Sequence, residues 1–598
     1  MNTKLRYNEY YEMQSTFDFL YQRSQNNATK GIDLLGIITS KENIMLAYRT
    51  IKSNKGSFTA GTDNLTIADF KGINTDTFIT EIRSRLINFQ PAPVRRVEIP
   101  KANGKTRPLG IPTMIDRLIG QMFLQVLTPI CEAKFYQHSY GFRENRSTHH
   151  ALARCHHLIN VVQCHYVIDV DIESFFDNVN HAKLLSQLYT IGVKDRRVLA
   201  IIGKMLKAEI VGIGTPSKGT PQGGILSPLL SNVVLNDLDQ WIASQWADFP
   251  SSHKYTGHHK FPGLRKNSEL KEMWIVRYAD DAKVFTKTHE QAWKIFHAVK
   301  GYLENHLKLN ISPEKSQVTN IRKRPSEFLG IELRAKKKRN KYLLYSKVSA
   351  KSKQRIKEKI REQLKKIQKS PTRENVSNYN SYILGIHNYY NIATNVSKDF
   401  SLIAYSLLYT RYNRLSYLAQ CGRPKRPPPS YTNHYNTNYR TYKIGNIYLY
   451  PIEDIQWKLP FQFKQEISNY TEKGRASFEK LSPDVTTEIQ KLLCRHNKYA
   501  NIEYLDNRIS RYSMQNGKCA VTGYPVKADD VHCHHILPIH LGGTDKFNNL
   551  IIVHVWIHKL IHATNEQTIN QYLQLIKLNK KQLDRLNKYR DKCNLTLI

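Results

Sequence analysis

The spacing of apolar residues changes character several times along the chain. In Trp274-Ile-Val-Arg-Tyr-Ala-Asp-Asp-Ala-Lys-Val-Phe285 apolar residues flank two adjacent acids, which predicts a β-hairpin whose tight turn carries Asp280 and Asp281. Tyr166-Val-Ile-Asp-Val-Asp-Ile-Glu-Ser-Phe-Phe-Asp177 alternates apolar residues with acids, as a strand with a carboxylate beside its end would. Val94 to Ile99 predicts another strand, and Asn103-Gly104 a hairpin turn after it. Helical periodicity covers the start of 41–70, residues 116–134, a stretch from about 147, and most of the chain from 178 to about 210. Gly219-Thr-Pro-Gln-Gly-Gly-Ile-Leu-Ser-Pro228 reads as a turn opening an apolar helix from Leu229 to Ile242, and 247–270 as an exposed insertion. From 334 to 366, Val348, Ile356, Ile360 and Leu364 keep helical spacing, and 376–419 predicts two further helices. Cys421-Gly-Arg-Pro-Lys-Arg-Pro-Pro-Pro-Ser430 reads as a stiff linker, and 564–592 as one basic amphipathic helix.

Charge narrows the function classes. Lys and Arg outnumber Asp and Glu by 89 to 50, a net charge of +39, and so large an excess points to nucleic-acid phosphates. Between 334 and 366 the excess is 15 Lys or Arg against two Glu. Tyrosines 431, 435, 439, 442, 448 and 450, interleaved with Arg440 and Lys443, suit base stacking and phosphate contact. No apolar run reaches membrane-spanning length, so no membrane partner is expected. Eight cysteines without regular spacing and an N-terminus without an apolar core suggest an intracellular protein in a reduced compartment. A length of 598 residues predicts three or four domains.

Candidate chemistry gathers at three places. Neighbouring carboxylates at a turn are costly unless positive charge lies between them, and a hard cation such as Mg²⁺ supplies it; a solvated Asp-Asp turn is the competing reading. Lys101 and Arg107 fall on opposing strands of the Asn103-Gly104 hairpin, either to clamp a triphosphate or as ordinary surface cations. His558 and His562, four apart, share a helix face, and a histidine from Val531-His-Cys-His-His-Ile-Leu-Pro538 completes a three-ligand cation site with open positions.

Arg107-Pro-Leu-Gly-Ile-Pro112, Ser139-Tyr-Gly-Phe-Arg143, Asp171 to Asp177, Gly219 to Asn232, Tyr278-Ala-Asp-Asp281, Ser312-Pro-Glu-Lys-Ser316 and Phe328-Leu-Gly330 follow in this order. Together they resemble the reverse-transcriptase domain of group II intron-encoded proteins, and Asn54-Lys-Gly-Ser57 resembles that family's extra N-terminal block. The resemblance implies Asp171, Asp280 and Asp281 as catalytic carboxylates. Asp171 and Asp280 would then ligate two Mg²⁺ ions, and Asp281 would support their geometry. Asp169, on the same strand as Asp171, is disfavoured by its spacing to Phe176 and Asp177. Phe176 matches the steric gate against a ribose 2′-hydroxyl, with a core aromatic as the rival reading. Gln222 matches the residue beside the incoming base pair, Lys101 and Arg107 the triphosphate cations, and Lys315 a proton donor to pyrophosphate.

Residues 516–562 resemble HNH endonucleases of the ββα-metal type. On that match His534, His558 and His562 hold one divalent ion, His535 is the general base and Asn549 holds the loop that orients it. Relatives carry two Cys-x-x-Cys pairs for a structural zinc, whereas Cys519 here has Thr522 at the partner position, so no structural zinc is expected.

The whole resemblance implies an α+β multidomain chain: a right-hand polymerase with an antiparallel palm sheet, an α-helical thumb and a small ββα-metal HNH domain. Its expected divisions are fingers and palm over 1–335, thumb or maturase X domain over 336–425, a DNA-binding region over 426–505 and the nuclease over 506–598. The implied function is RNA-directed DNA polymerase, splicing maturase and DNA endonuclease acting in intron mobility. Its partners would be intron RNA, a double-stranded DNA target and dNTPs, in bacterial cytoplasm or an organelle.

Overall fold

A computed structural model describes residues 3–100, 104, 106–251, 253, 255, 259–476, 488–489, 491–492 and 501–598. Lys101 and Asn103 lie outside the described residues. The chain forms two compact units, one of residues 1–135, 176–233 and 466–598, the other of 136–175 and 234–465.

The first unit is built on the helix Met114–Glu132, capped by Thr113, whose hydroxyl accepts from the Asp116 amide. Leu118, Met122, Val126 and Ile130 are buried along it, and the helices Gln14–Gln25 and Lys41–Lys52 pack against it. β1 (Arg95–Pro100) and β2 (Thr106–Ile111) pair antiparallel with Ile99 opposite Arg107. Gly104, between them, takes φ +78, a left-handed conformation that glycine adopts without penalty.

The second unit holds a four-stranded antiparallel sheet of β3 (Tyr166–Val170), β4 (Trp274–Tyr278), β5 (Asp281–Thr286) and β6 (Gln317–Asn320), in the order β4-β5-β3-β6. The helix His289–Gly301 packs on β3, β5 and β6, and Thr148–Asn160 on β4. The strands are therefore mostly apolar rather than alternating, and β4 is buried from Trp274 to Arg277. Where 247–270 was expected to be an exposed insertion, the helix Lys260–Asn267 buries Leu264 and sets Phe261 edge-on to Trp274, ring centres 4.8 Å apart.

The basic run from 334 is not a single helix. β7 (Ser326–Phe328), β8 (Ile331–Lys338) and β9 (Lys341–Val348) form a three-stranded sheet, so Val348 ends a strand. Ile331, Leu333 and Ala335 alternate inward along β8, a period-two pattern that outweighs the helical spacing of the later residues. The helix starts only at Ala350, capped by Ser349, and runs to Lys369 with Ile356, Ile360, Leu364 and Ile367 buried. Three helices follow rather than two: Arg373–Tyr390, Val396–Ser406 and Leu408–Leu415.

The Pro-rich stretch is folded into the same unit instead of hanging as a linker. β10 (Cys421–Gly422) pairs with β11 (Thr441–Ile444), which pairs with β12 (Ile447–Tyr448). Tyr431, Tyr435 and Tyr442 are buried, so these three rings fill a core and do not offer faces to bases. His387 joins them, bonding the Tyr435 hydroxyl at 3.1 Å and the Ile452 carbonyl at 3.0 Å.

The last part of the first unit pairs β13 (Val531–His535) antiparallel with β14 (Leu550–His554) and continues into the helix Val555–His562. The expected single helix over 564–592 is two, Glu566–Ile576 and Lys580–Lys592, broken where Lys577 takes φ +48. Among the described residues no helix is long and apolar enough to cross a membrane.

Candidate functional site

In the second unit β4 and β5 are joined by two residues, Ala279 and Asp280, with Tyr278 opposite Asp281. Ala279 takes φ +58, a conformation costly for a residue with a Cβ. Buried Arg277 holds it there. Its guanidinium donates to the Ala279 carbonyl at 2.7 Å and, through Nε and Nη2, to the Asp239 carboxylate at 2.9 and 2.6 Å. Arg277 and Asp239 are 1% and 0% exposed, so this charge-assisted fork is dry and its geometry firm. The Ser139–Arg143 segment braces the same turn. Arg277 N donates to His138 O at 3.1 Å, Tyr140 N to Arg277 O at 2.9 Å, and Gly141 lies directly against the Ala279 backbone.

Asp171 follows β3, the sheet neighbour of β5. Its amide donates to Ser316 Oγ at 3.1 Å, its carbonyl accepts from Ser312 N at 2.8 Å, and its carboxylate accepts from Lys315 Nζ at 3.1 Å. Asp171, Asp280 and Asp281 are thus brought together at one end of the sheet, with Lys315 on Asp171. Although Asp281 has surface open to solvent, the protein crowded around its carboxyl pushes its pKa up to about 6, against the pull of Lys283 and with added push from Asp169, Asp280 and Asp171. Clustered oxygen donors that resist sharing negative charge fit a hard divalent cation. Asp169 turns elsewhere: it pairs with buried Lys283 and accepts from Ser326 Oγ at 3.0 Å, a counter-ion inside the unit.

Phe176, Gln222 and Arg107 belong to the first unit. Phe176 lies in the short helix Phe175–Asn178, half-buried. Its carbonyl accepts from Thr220 N at 2.6 Å, and Gln222 Nε2 donates to Asp177 Oδ1 at 3.2 Å. Gln222 O in turn accepts from Gly110 N at 2.7 Å, tying the Gly219–Gly224 turn to the strand that carries Arg107. Gly219 and Gly223 take φ +97 and +98, and a Cβ on either would press on backbone oxygen at 2.9 Å. The glycines of that motif are required by close approach of three backbone segments.

The histidine cluster sits on β13 and the helix Val555–His562. His534 Nδ1 and His562 Nε2 are 3.3 Å apart. His558, a turn before His562, has its ring 4.7 Å from that of His562 and stacked on His532 at 3.5 Å. Burial, then the neighbouring imidazoles, pushes His534 and His558 down to about 3, so both rings are neutral and their lone pairs available. His535 points to the other side of the strand, where its Nε2 meets Asp545 Oδ1 at 2.8 Å and its ring stacks on Tyr504. Asp545 also accepts from Asn501 Nδ2 at 2.7 Å, which fixes it. Asn549 closes the intervening loop: its Oδ1 accepts from Leu537 N, and its Nδ2 donates to Leu537 O and Thr544 O, each at 2.9 Å.

Sequence reasoning assigned no role to Arg277, Asp239, Gly141 or Asp545. An arginine inside an otherwise apolar strand was a usable signal for the first. Nothing in the sequence marks Asp239, and the block Ser139–Arg143 that contains Gly141 does not show its contact; the partners of both lie far away along the chain.

A family model described as reverse transcriptase (RNA-dependent DNA polymerase) matches residues 99–333. "Protein YkfC" of Escherichia coli is 32% identical over 327 residues, covering 52% of this chain and 84% of that protein. "Group II intron-encoded protein LtrA" of Lactococcus lactis is 29% identical over 468 residues, covering 65% and 76%. "Putative COX1/OXI3 intron 2 protein" of Saccharomyces cerevisiae is 24% identical over 367 residues, covering 56% and 42%. With a reverse-transcriptase domain, carboxylates gathered at the end of its sheet and intron-encoded relatives in a bacterium and a yeast, the chain belongs to the group II intron reverse transcriptase/maturase family.

Proposed function

We propose that the protein copies RNA into DNA at Asp171, Asp280 and Asp281, binds its own intron RNA as a splicing maturase, and nicks DNA with a C-terminal HNH nuclease. Nicking of a double-stranded target would expose the 3′-hydroxyl that the polymerase extends on inserted intron RNA, as in intron mobility by target-primed reverse transcription. The observation that carries the polymerase reading is the convergence of the three carboxylates on a turn held by Arg277.

Asp171 and Asp280 are the ligands proposed for two Mg²⁺ ions, which when bound activate the primer hydroxyl and stabilise the departing pyrophosphate. Asp281 holds their geometry. Lys101 and Arg107 grip the triphosphate, Gln222 lies beside the incoming base pair, and Phe176 excludes a 2′-hydroxyl. Lys315, whose ammonium donates to Asp171 at 3.1 Å, would donate a proton to pyrophosphate. Fingers and palm would occupy 1–335 and the RNA-gripping thumb 336–425, where the long basic helix keeps one apolar face inward. Target DNA would meet 426–505, with the nuclease at 506–598.

In the nuclease reading His535 is the base that takes a proton from the attacking water. Asp545 orients its ring and Asn549 fixes its loop. A divalent ion held among His534, His558 and His562 would supply charge stabilisation at the scissile phosphate.

Complementary-DNA synthesis on an RNA template tests the first claim: Asp280→Ala should abolish it, and template-dependent synthesis that survives would overturn the assignment. Nicking of a target duplex by His535→Ala tests the second, and persistent nicking would remove His535 as the base.

A further inference from the structure

The helix Lys580–Lys592 is locked onto the nuclease helix by a buried arginine. Arg590 is 0% exposed, and its guanidinium donates to Leu560 O and to Ala563 O, the latter at 2.9 Å, while its Nε donates to Thr596 O at 2.8 Å. It therefore satisfies carbonyls at the open C-terminal end of Val555–His562, where cations and donors are favoured. This clamp fixes what lies one turn beyond it. Cys593, 8% exposed, is brought to His534 and His562, and its sulfur and one nitrogen of each ring all lie within 4.8 Å of one another.

Buried His534 meets exposed His562 in an arrangement unusual for a purely structural pair. His534 is 1% exposed and its Nε2 has no hydrogen-bond partner, while its Nδ1 faces His562 Nε2 at 3.3 Å. A buried ring with one nitrogen unused and the other against a second imidazole is a poor structural choice. As a pair of ligands it is a good one. At a metal–nitrogen distance of roughly 2.0–2.1 Å, the edge of a tetrahedron is about 3.3 Å. His558, meanwhile, has its ring face against His532.

We propose that Cys593, in place of His558, is a thiolate ligand of the nuclease ion, completing with His534 Nδ1 and His562 Nε2 a three-ligand site that selects a soft divalent cation such as Zn²⁺ and leaves one position open. This rests on the nuclease reading for its purpose but not for its chemistry. Two imidazoles and a thiolate suit Zn²⁺ far better than Mg²⁺, which takes oxygen donors. Binding forms an Sγ–metal bond and releases the thiol proton to solvent, with no redox change. Three protein ligands and a free position are the arrangement of catalytic rather than structural zinc. The ion would thus be distinct from a zinc knuckle, which Cys519 and Thr522 cannot build.

The full-length protein, stripped of metal and reloaded with Co²⁺, reports sulfur ligation directly through a thiolate-to-cobalt charge-transfer band in the near ultraviolet. One band per protein is expected, lost in Cys593→Ser and retained in Cys519→Ser, Cys533→Ser, His558→Ala and Asp280→Ala. Cys593→His should keep Co²⁺ binding while losing the band, and far-ultraviolet circular dichroism with the unfolding midpoint of each variant checks that it has folded. Co²⁺ binding without the band in the unsubstituted protein, or a band that survives Cys593→Ser, overturns the proposal. A band present in a protein that does not nick DNA leaves the metal site standing and removes the nuclease reading instead.

Discussion

Gly141 offers the most direct test of how the Ala279-Asp280 turn, proposed as catalytic, is held. A Cβ built there would lie 2.1 Å from the Ala279 amide nitrogen and 2.8 Å from the Ala279 Cα and the Tyr278 carbonyl carbon. Ordinary contact begins near 3.4 Å, so Gly141→Ala requires a backbone displacement of about 1.3 Å. Neither neighbour is a side chain that can rotate away. The loop cannot retreat freely, because Arg277 N and O are bonded to His138 and Tyr140. The turn base cannot retreat either, because Arg277 is fixed by Asp239. The strain is therefore released at the tip, which carries Asp280. Groups that position reacting atoms must hold to roughly 0.5 Å, and a misplacement of about 1 Å can cost about 10²-fold in rate. Gly141→Ala should lower the rate of primer extension on RNA by about 10²-fold, while overpacking costs about 1–3 kcal/mol in thermal or denaturant unfolding. Primer–template binding, measured by gel shift, should be unchanged. Extension at the unsubstituted rate, or a loss that lies wholly in primer–template binding, would refute the reasoning.

Three further outcomes are expected. Asp239→Ala strands the buried Arg277 charge and should cost about 3–5 kcal/mol in denaturant unfolding; a cost below 1 kcal/mol would mean that the fork is not what fixes the turn. Asp281, raised to about 6 from 3.8, ionises at higher pH in the folded than in the unfolded chain, so metal-free protein should lose stability as pH climbs from about 4 to about 6 and then level off. Mg²⁺ should restore that loss above pH 6, and Asp281→Asn should flatten the profile; an unchanged profile in the variant would assign the effect to another group. In the proposed nuclease, Asp545→Asn removes the carboxylate that meets His535 and should reduce nicking by about 10²-fold or more, leaving RNA-templated synthesis intact.

What the sequence disclosed and what it hid follow from the range of the interactions involved. The hairpin of β4 and β5 was legible because its pattern and turn are local, and so was the β3 strand. The basic run from 334 misled because two periods overlap there: Leu333 and Ala335 alternate, whereas Ile356, Ile360 and Leu364 recur at helical spacing. The Pro-rich stretch misled for a different reason. Proline restricts the local backbone, but whether a segment packs depends on partners such as Thr441 and Tyr442, which composition does not encode. Tyrosines 431, 435 and 442 were read as ligands for bases because they alternate with cations, yet their rings fill a core. Asp239, Gly141 and Cys593 act through residues 38, 138 and 31 positions away, and single-sequence reading has no term for such pairs.

The two candidate metal sites are built from opposite materials, and the order of events follows from that. Asp171, Asp280 and Asp281 are oxygen donors at an open sheet end, too few by themselves to fill the shell of a hard cation. Ions of that kind complete their coordination with substrate phosphates and water. The polymerase site is therefore finished only when a nucleotide arrives. His534, His562 and Cys593 are instead nitrogen and sulfur donors, His534 and Cys593 buried and His562 exposed, set in advance by β13, the Val555–His562 helix and the Arg590 clamp. Such a site would need no substrate to assemble and could keep its ion between events. On the proposed reading, a nicking site assembled in advance can act before a polymerase site that waits for its nucleotide. The 3′-hydroxyl would then be produced while extension is still gated by triphosphate.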